Sequence, residues 1–343
     1  MTAKLVKFKD WYEENEKKIS FVSLAGGFIL DLLTARIDSF LDNLWLALNI
    51  FSVAICIIVL NRKENFFLFN LMQFNFGAIL GTSFVFYFRS AALSASWPFL
   101  LILLSALFAN EFFKKHYEQL VFRVSFLYLS LFIYFSYLVP VLVHRIGSVV
   151  FLASGALSLI VLWGFVKVLK EFSRQTFFAV SSLFIVINLL YFLNVIPPIP
   201  LVLKDAGIYY SVDRTASGGY AVTAEKKSWL DLFGINQKIY WSEGKTLYAY
   251  SAVFSPADLN TDIVHEWQYK DENTGKWIAG SRIPLKLFGG RQEGFRTYSV
   301  KSALAPGRWR VNVTTSRGAV LGRISFLVIE SPDIFNREVK VLK

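Results

Sequence analysis

The chain has 343 residues, 55% of them hydrophobic and 34 of them phenylalanine, with a mean hydropathy of +0.46. That apolar excess excludes an ordinary soluble globular protein and indicates a polytopic membrane protein. A net charge of +11 points to anionic partners, although loop lysines and arginines beside a bilayer explain part of it without nucleic acid, and the single cysteine, Cys56, excludes an intramolecular disulfide.

Residues 1–18 are rich in charge, and Leu5, Phe8 and Tyr12 share one face, which predicts a cytoplasmic amphipathic segment on the membrane surface. Residues 19–196 read as a transmembrane helical bundle. Apolar runs long enough to cross a bilayer extend over 19–36, 44–60, 66–88, 93–113, 120–143, 148–166 and 176–196, about seven spans in all. The loop charges alternate in step with this count. The N-terminal lysines, Arg62 with Lys63, Lys114 with Lys115, and Lys167 with Lys170 and Arg174 fall on one side, whereas the opposite loops offer Arg36, Arg89 and Arg145. The positive-inside rule then predicts a cytoplasmic N-terminus, and an odd number of spans places the chain after Pro200 in the periplasm of a bacterial inner-membrane protein.

Two features inside the bundle carry polar chemistry. Gly77 and Gly81 form a small-xxx-small pair with Asn70 and Gln73 toward the same face, which predicts close helix packing with hydrogen bonds across it. Asp31 is an ionisable group in the first span, on the face of Gly27 and Asp38, and an intramembrane carboxylate needs a partner. Arg36, Arg89 and Arg145 fall at the same level. Asp31, Arg36, Asp38, Arg89 and Arg145 therefore form a candidate intramembrane polar site, either an ion pair closing the bundle or a substrate or proton site.

Pro197, Pro198 and Pro200 end the last apolar run, and residues 197–204 form a Pro-rich junction. From 205 to 343 the pattern becomes short alternating runs separated by Gly, Pro, Asn and Asp, the signature of an all-β domain; an immunoglobulin-like sandwich is expected. Strands are predicted at 220–224, 246–254, 262–270, 295–301, 308–315 and 320–329, with a short helix or aromatic elbow at 226–233. Along 306–313, Trp309, Val311 and Val313 face inward while Arg308, Arg310 and Asn312 face out. His265 and Trp267 share a face at the core margin; with Tyr298 they are structural or possible ligand-contact residues.

Between Asn273 and Ile329 the one acidic residue is Glu293, against Lys276, Arg282, Lys286, Arg291, Arg296, Lys301, Arg308, Arg310, Arg317 and Arg323. A one-signed surface favours an anionic partner. Arg291 lies in a glycine loop whose N–H groups are able to converge on an anion, so Arg291, Arg296, Arg308 and Arg310 are the candidate anion-binding residues. The competing reading is a tight hairpin with solubilising arginines. No catalytic residue is assigned: there is no nucleophile elbow, phosphate-binding loop or dinucleotide fingerprint, Ser242-Glu243-Gly244-Lys245 reads as a turn, and the three histidines fall in different compartments, so neither a metal site nor a cofactor is expected.

The stretches His265-Glu266-Trp267, Gly289 to Arg291, Gly294 to Lys301, and Pro306 to Val311 together resemble an uncharacterised bacterial family whose C-terminal module is known as domain of unknown function two-nine-one-four. The pattern of Gly27-Phe28, Asp31, Thr34 and Arg36-Ile37-Asp38 is similar to the helical membrane half found with that module. The resemblance implies location and architecture and supplies no activity. The function expected is display of a periplasmic β domain that binds lipid headgroups, an acidic glycan or an envelope protein. The alternative is a carrier or membrane-embedded transferase that uses Asp31.

Overall fold

The structure, a computed structural model, describes residues 25–342 except 38, 113, 217, 226–236, 257–258, 260 and 332–336, together with residues 11, 15 and 22; at 94, 111–112 and 114–115 it describes the backbone alone. Asp38, most of the predicted amphipathic segment and the elbow at 226–233 lie outside the described residues. Two compact units result: Met1–Phe88, Pro98–Val139 and Ser148–Leu190 form one, and Arg89–Trp97, Pro140–Gly147 and Tyr191–Lys343 the other.

Among the described residues seven α-helices come first: α1 (Ala25–Thr34), α2 (Phe40–Leu60), α3 (Phe66–Ser90), α4 (Leu93–Phe112), α5 (Leu120–Val143), α6 (Ser148–Leu169) and α7 (Arg174–Phe192). Their starts are written in the sequence. Ser39 caps α2 by accepting from the Asp42 N–H, Asn65 Oδ1 accepts from the Phe67 and Leu68 N–H groups at the start of α3, and Ser173 Oγ accepts from the Thr176 N–H of α7. Left-handed residues at His144, Lys170 and Asn194 close α5, α6 and α7. Among the described residues five helices, α2, α3, α5, α6 and α7, are long and apolar enough to cross a membrane, and α1 and α4 include shorter apolar stretches.

The phenylalanine excess divides between two environments. Around α3, Phe76 and Phe86 are fully buried and meet Phe126 and Tyr137 edge-on at ring separations of 5.0 and 5.4 Å. By contrast Phe40, Trp45, Phe51, Ile160, Trp163, Ile185 and Leu189 lie exposed. An apolar surface of this extent is stable against hydrocarbon, not water. The expected seam on α3 is present: Gln73 Nε2 donates to the Asn110 carbonyl at 2.7 Å, Asn110 Nδ2 returns a bond to the Gln73 carbonyl, and a Cβ at Gly77 would stand 3.2 Å from Asn110 Nδ2. Asn70 donates to the Phe66 carbonyl of its own helix.

Eleven strands follow among the described residues: β1 (Val202–Tyr209), β2 (Ser211–Arg214), β3 (Tyr220–Glu225), β4 (Gln237–Trp241), β5 (Leu247–Phe254), β6 (Thr261–Lys270), β7 (Trp277–Leu287), β8 (Phe295–Lys301), β9 (Gly307–Thr315), β10 (Val320–Glu330) and β11 (Arg337–Leu342). They form a five-stranded sheet in the order β4-β10-β9-β6-β7, a three-stranded sheet β1-β5-β8 and a second three-stranded sheet β11-β3-β2. β4 runs parallel to β10; the other pairings are antiparallel.

Alternation along β5 explains how the sheets associate. Leu247 and Ala249 join Trp267, Trp309, Val311 and Phe326 of the five-stranded sheet in one core, while Tyr250 and Ala252, on the opposite face, pack with Val212 and Val222 of the third sheet. Both faces of β5 are thus covered, which is why it reads as a continuous apolar run. Two layers alone do not account for this unit, because β2, β3 and β11 add a third. The junction is part of the fold: Leu201 is fully buried with Val253, Ile263 and Val313, and β1 begins at Val202.

Candidate functional site

In the helical unit, Asp31 on α1 accepts a hydrogen bond from the Thr82 hydroxyl of α3 at 2.7 Å, and Gly81 alongside it leaves room for the carboxylate. The Thr82 hydroxyl is thus a described partner of Asp31. The Arg36 backbone N–H donates to Asp42 Oδ2 at 2.9 Å. Arg89 lies in the last turn of α3 and Arg145 follows α5, both within the second unit.

In the β unit, His265 sits at the centre of the core and not at its margin. It is 0% exposed, with Nε2 2.8 Å from Ser251 Oγ and Nδ1 2.9 Å from Ser299 Oγ, and Trp267 Nε1 also donates to Ser299 at 3.0 Å. Burial pushes the imidazole down to about 4. A serine and histidine at this distance would make a nucleophile–base pair if substrate had access, but every member is buried, so the cluster is a polar pin between β6 and the strands β5 and β8. Tyr298 is partly exposed and packs on the rings of Tyr220 and Tyr248.

The predicted anion residues separate. Arg291 is exposed in its loop, 5.9 Å from the Phe295 ring, but the N–H groups of Gly290 and Gly294 donate to the Ser255 and Arg291 carbonyls. Those two donors serve the turn. Arg296 donates to the Gly218 carbonyl, and Arg308 is exposed at the start of β9. Arg317, in the β9–β10 turn, donates to the Tyr191 carbonyl and to Asn194 Oδ1 and stacks 3.8 Å over the Tyr191 ring, so its charge is engaged by the residues that lead into the junction.

Arg310 has different company. β9 is a central strand, and on the face of its sheet away from the core the register places Arg310 opposite Gln268 of β6 and Ser325 of β10, and Asn312 opposite Glu266 and Arg323. Gln268 Oε1 accepts from Arg310 Nε at 2.7 Å and from Asn312 Nδ2 at 3.4 Å, while Asn312 Oδ1 accepts from Arg323 Nε at 2.7 Å. The Trp277 ring stacks 4.2 Å from the Arg310 guanidinium. Glu266, an acid on this face, is paired with Arg282 at 3.0 Å.

Two half-buried guanidiniums are therefore anchored at Nε by neutral amides, and their terminal nitrogens have no protein partner among the described residues. Burial, with repulsion from Arg323 added, pushes Arg310 down to about 10; burial also lowers Arg323. A bound anion would reverse both effects. The outward direction of Arg310 was legible from alternation, and Arg323 belonged to the basic stretch. Gln268, Asn312 and Trp277 were missed, because their roles depend on a cross-strand register that a single sequence does not provide.

Residues 260–328 match the model of a family described as "Protein of unknown function (DUF2914)", which covers β6 through most of β10 and so includes this face. Among curated proteins no significant relative is found. Two solved structures are similar to the chain at a low level. One is a beta-glucosidase from Listeria innocua in complex with gluconolactone, with 12% identity and a TM-score of 0.19 over 36% of this chain and 16% of that one. The other is the alkylpurine DNA glycosylase AlkC of Pseudomonas fluorescens bound to DNA containing an abasic site analog, with 9% identity and a TM-score of 0.23 over 86% and 99%. Scores this low carry no argument about fold or function.

Proposed function

We propose that this chain is a multi-pass bacterial inner-membrane protein that displays an immunoglobulin-like β domain on the periplasmic side and binds an anionic envelope component, a lipid headgroup or an acidic glycan, through the Arg310–Arg323 face. The observation that carries this reading is the pair of guanidiniums held by amide oxygens. A carboxylate at either amide position would neutralise the guanidinium it meets, as Glu266 does for Arg282, whereas an amide oxygen orients the guanidinium and brings no counter-charge. Amides leave the charge available.

The membrane placement is supported by the five long apolar helices, with α1 and α4 taken as two further spans. The loop charges favour a cytoplasmic N-terminus and a periplasmic C-terminal domain. An envelope protein with an acidic surface is the competing partner. The reading is tested by presenting the full chain, in zwitterionic nanodiscs, to immobilised anionic lipids, acidic polysaccharides and neutral counterparts, beside an R310S/R323S variant. Retention on anionic surfaces by the wild type alone supports it; equal retention of both proteins sinks it.

A second reading, a carrier or transferase using Asp31, is favoured by the Asp31–Thr82 hydrogen bond, which supplies no counter-charge. An Asp31→Asn variant that inserts and folds normally but abolishes function would favour it over anion binding.

A further inference from the structure

We infer that Arg310 and Arg323 together take one dianionic phosphate group of the phosphomonoester class, and that Gln268 and Asn312 are positioning residues that aim the two guanidiniums. This rests on the anion-binding reading and narrows its ligand.

The register sets the spacing. Arg323 is opposite Asn312 and Arg310 is opposite Ser325, so the arginines are diagonal neighbours across the β9–β10 pair. Diagonal positions stand roughly 7–8 Å apart, within reach of one another for long side chains. Both strands lie inside the five-stranded sheet, and Nε of each arginine is fixed at 2.7 Å by an amide oxygen. The ends left over are the Nη forks, two nitrogens on each. Trp277 stacked on Arg310 restricts the plane of that fork, and the exposed Ser325 lies in the same register pair as Arg310. A site held this way needs little ordering when a ligand arrives.

Charge and atom count then select the ligand. A carboxylate brings one negative charge and two oxygens, which satisfies one fork and leaves the second guanidinium repelled and partly desolvated. A phosphomonoester brings up to two charges and three strong acceptor oxygens, enough to engage both forks at once. Glu266, opposite Asn312 and diagonal to Arg310, offsets part of the Arg310 shift but is paired with Arg282, and Arg310 still stays below its ordinary value. A phosphorylated lipid headgroup and a phosphorylated sugar share this chemistry.

The test uses the full chain in phosphatidylcholine nanodiscs. Its affinities for glucose 1-phosphate, for phosphatidate-containing vesicles and for polygalacturonate are measured at pH 7.5 and 5.5, with R310S/R323S and Asn312→Asp variants alongside. A phosphomonoester has its second ionisation near pH 6, so phosphomonoester binding should weaken by about fourfold at pH 5.5. The double arginine variant should lose tenfold or more, roughly the effect of removing one charged hydrogen bond. Asn312→Asp, confirmed as folded by circular dichroism, should lose a similar factor, because the new carboxylate pairs with Arg323; wild-type affinity in that variant would overturn the positioning role.

Binding of glucose 1-phosphate assigns the site to a sugar phosphate; binding of phosphatidate vesicles alone assigns it to a lipid headgroup. Polygalacturonate binding that is flat with pH and lost in R310S/R323S, with no phosphomonoester bound, would overturn this inference and leave the anion-binding reading standing. Failure of all three anions to bind, or binding indifferent to the arginines, overturns both.

Discussion

The indole N–H of Trp267 donates to Ser299 Oγ at 3.0 Å, and the same oxygen lies 2.9 Å from Nδ1 of His265, so one hydroxyl on β8 ties two neighbouring inward residues of β6. With Ser251 on the other ring nitrogen, the imidazole is satisfied as a neutral group. Assigned from this network, the Ser299 O–H donates to Nδ1 and Nε2–H donates to Ser251.

A pH dependence follows. The folded-state pKa of His265 is pushed down to about 4 from an ordinary value of 6.5, so the unfolded chain binds the proton more readily. The contribution of the neutral imidazole is complete above about pH 6.5 and is lost as pH falls toward 4. Chemical denaturation of the β unit within the full chain should show stability decreasing through that window, and His265→Gln should be less stable at pH 7.5 but flatter below it. Equal slopes would contradict the assignment.

The glycine loop should answer to backbone space and not to ligand. A Cβ at Gly289 would stand 2.0 Å from the Pro256 carbonyl oxygen and 3.0 Å from that of Leu259, and both obstacles are backbone. Gly289→Ala should therefore cost about 1–3 kcal/mol of stability, as overpacking does. Arg291→Ser next to the loop should change stability by under about 0.5 kcal/mol. Thermal unfolding of the two variants checks the contrast.

In the helical unit, Thr82→Val removes the hydroxyl that Asp31 accepts from while keeping its shape. Hydrogen bonds between membrane helices average about 0.6 kcal/mol and reach about 1.7. Unfolding in detergent should place Thr82→Val within that range and Thr82→Ser near wild type. A loss shared equally by both would assign the effect to packing.

Topology gives a qualitative outcome. A reporter fused after Lys343 should be active in the periplasm and silent in the cytoplasm, as the loop charges require. A cytoplasmically active fusion would remove the periplasmic ligand from the account.

Helix positions were legible because hydrophobic runs and their polar interruptions are local signals, and six strands were legible from alternation. β7 was not, because Gly280 and Pro284 read as breakers; it is an edge strand, where a missing N–H is tolerated. β2 has four residues and β11 alternates weakly, so the third sheet left little trace. Asn312 read as an outward polar residue, yet it is buried on the outer face under Gln268, Arg310 and Arg323. Whether an arginine meets an amide or a carboxylate across the sheet is decided by register. That nonlocal fact separates Arg310 from Arg308, two residues away.

The central claim is that Arg310 and Arg323 are held to meet an anion. Its most direct measurement is calorimetric titration of the full chain in zwitterionic nanodiscs with an anionic ligand retained on the panel, at low and physiological salt, for wild type and R310S/R323S. The account predicts saturable wild-type binding that weakens as salt screens charge over about 8 Å, and a loss of tenfold or more in the variant without unfolding. Equal affinities for the two proteins, or binding indifferent to salt, would contradict it.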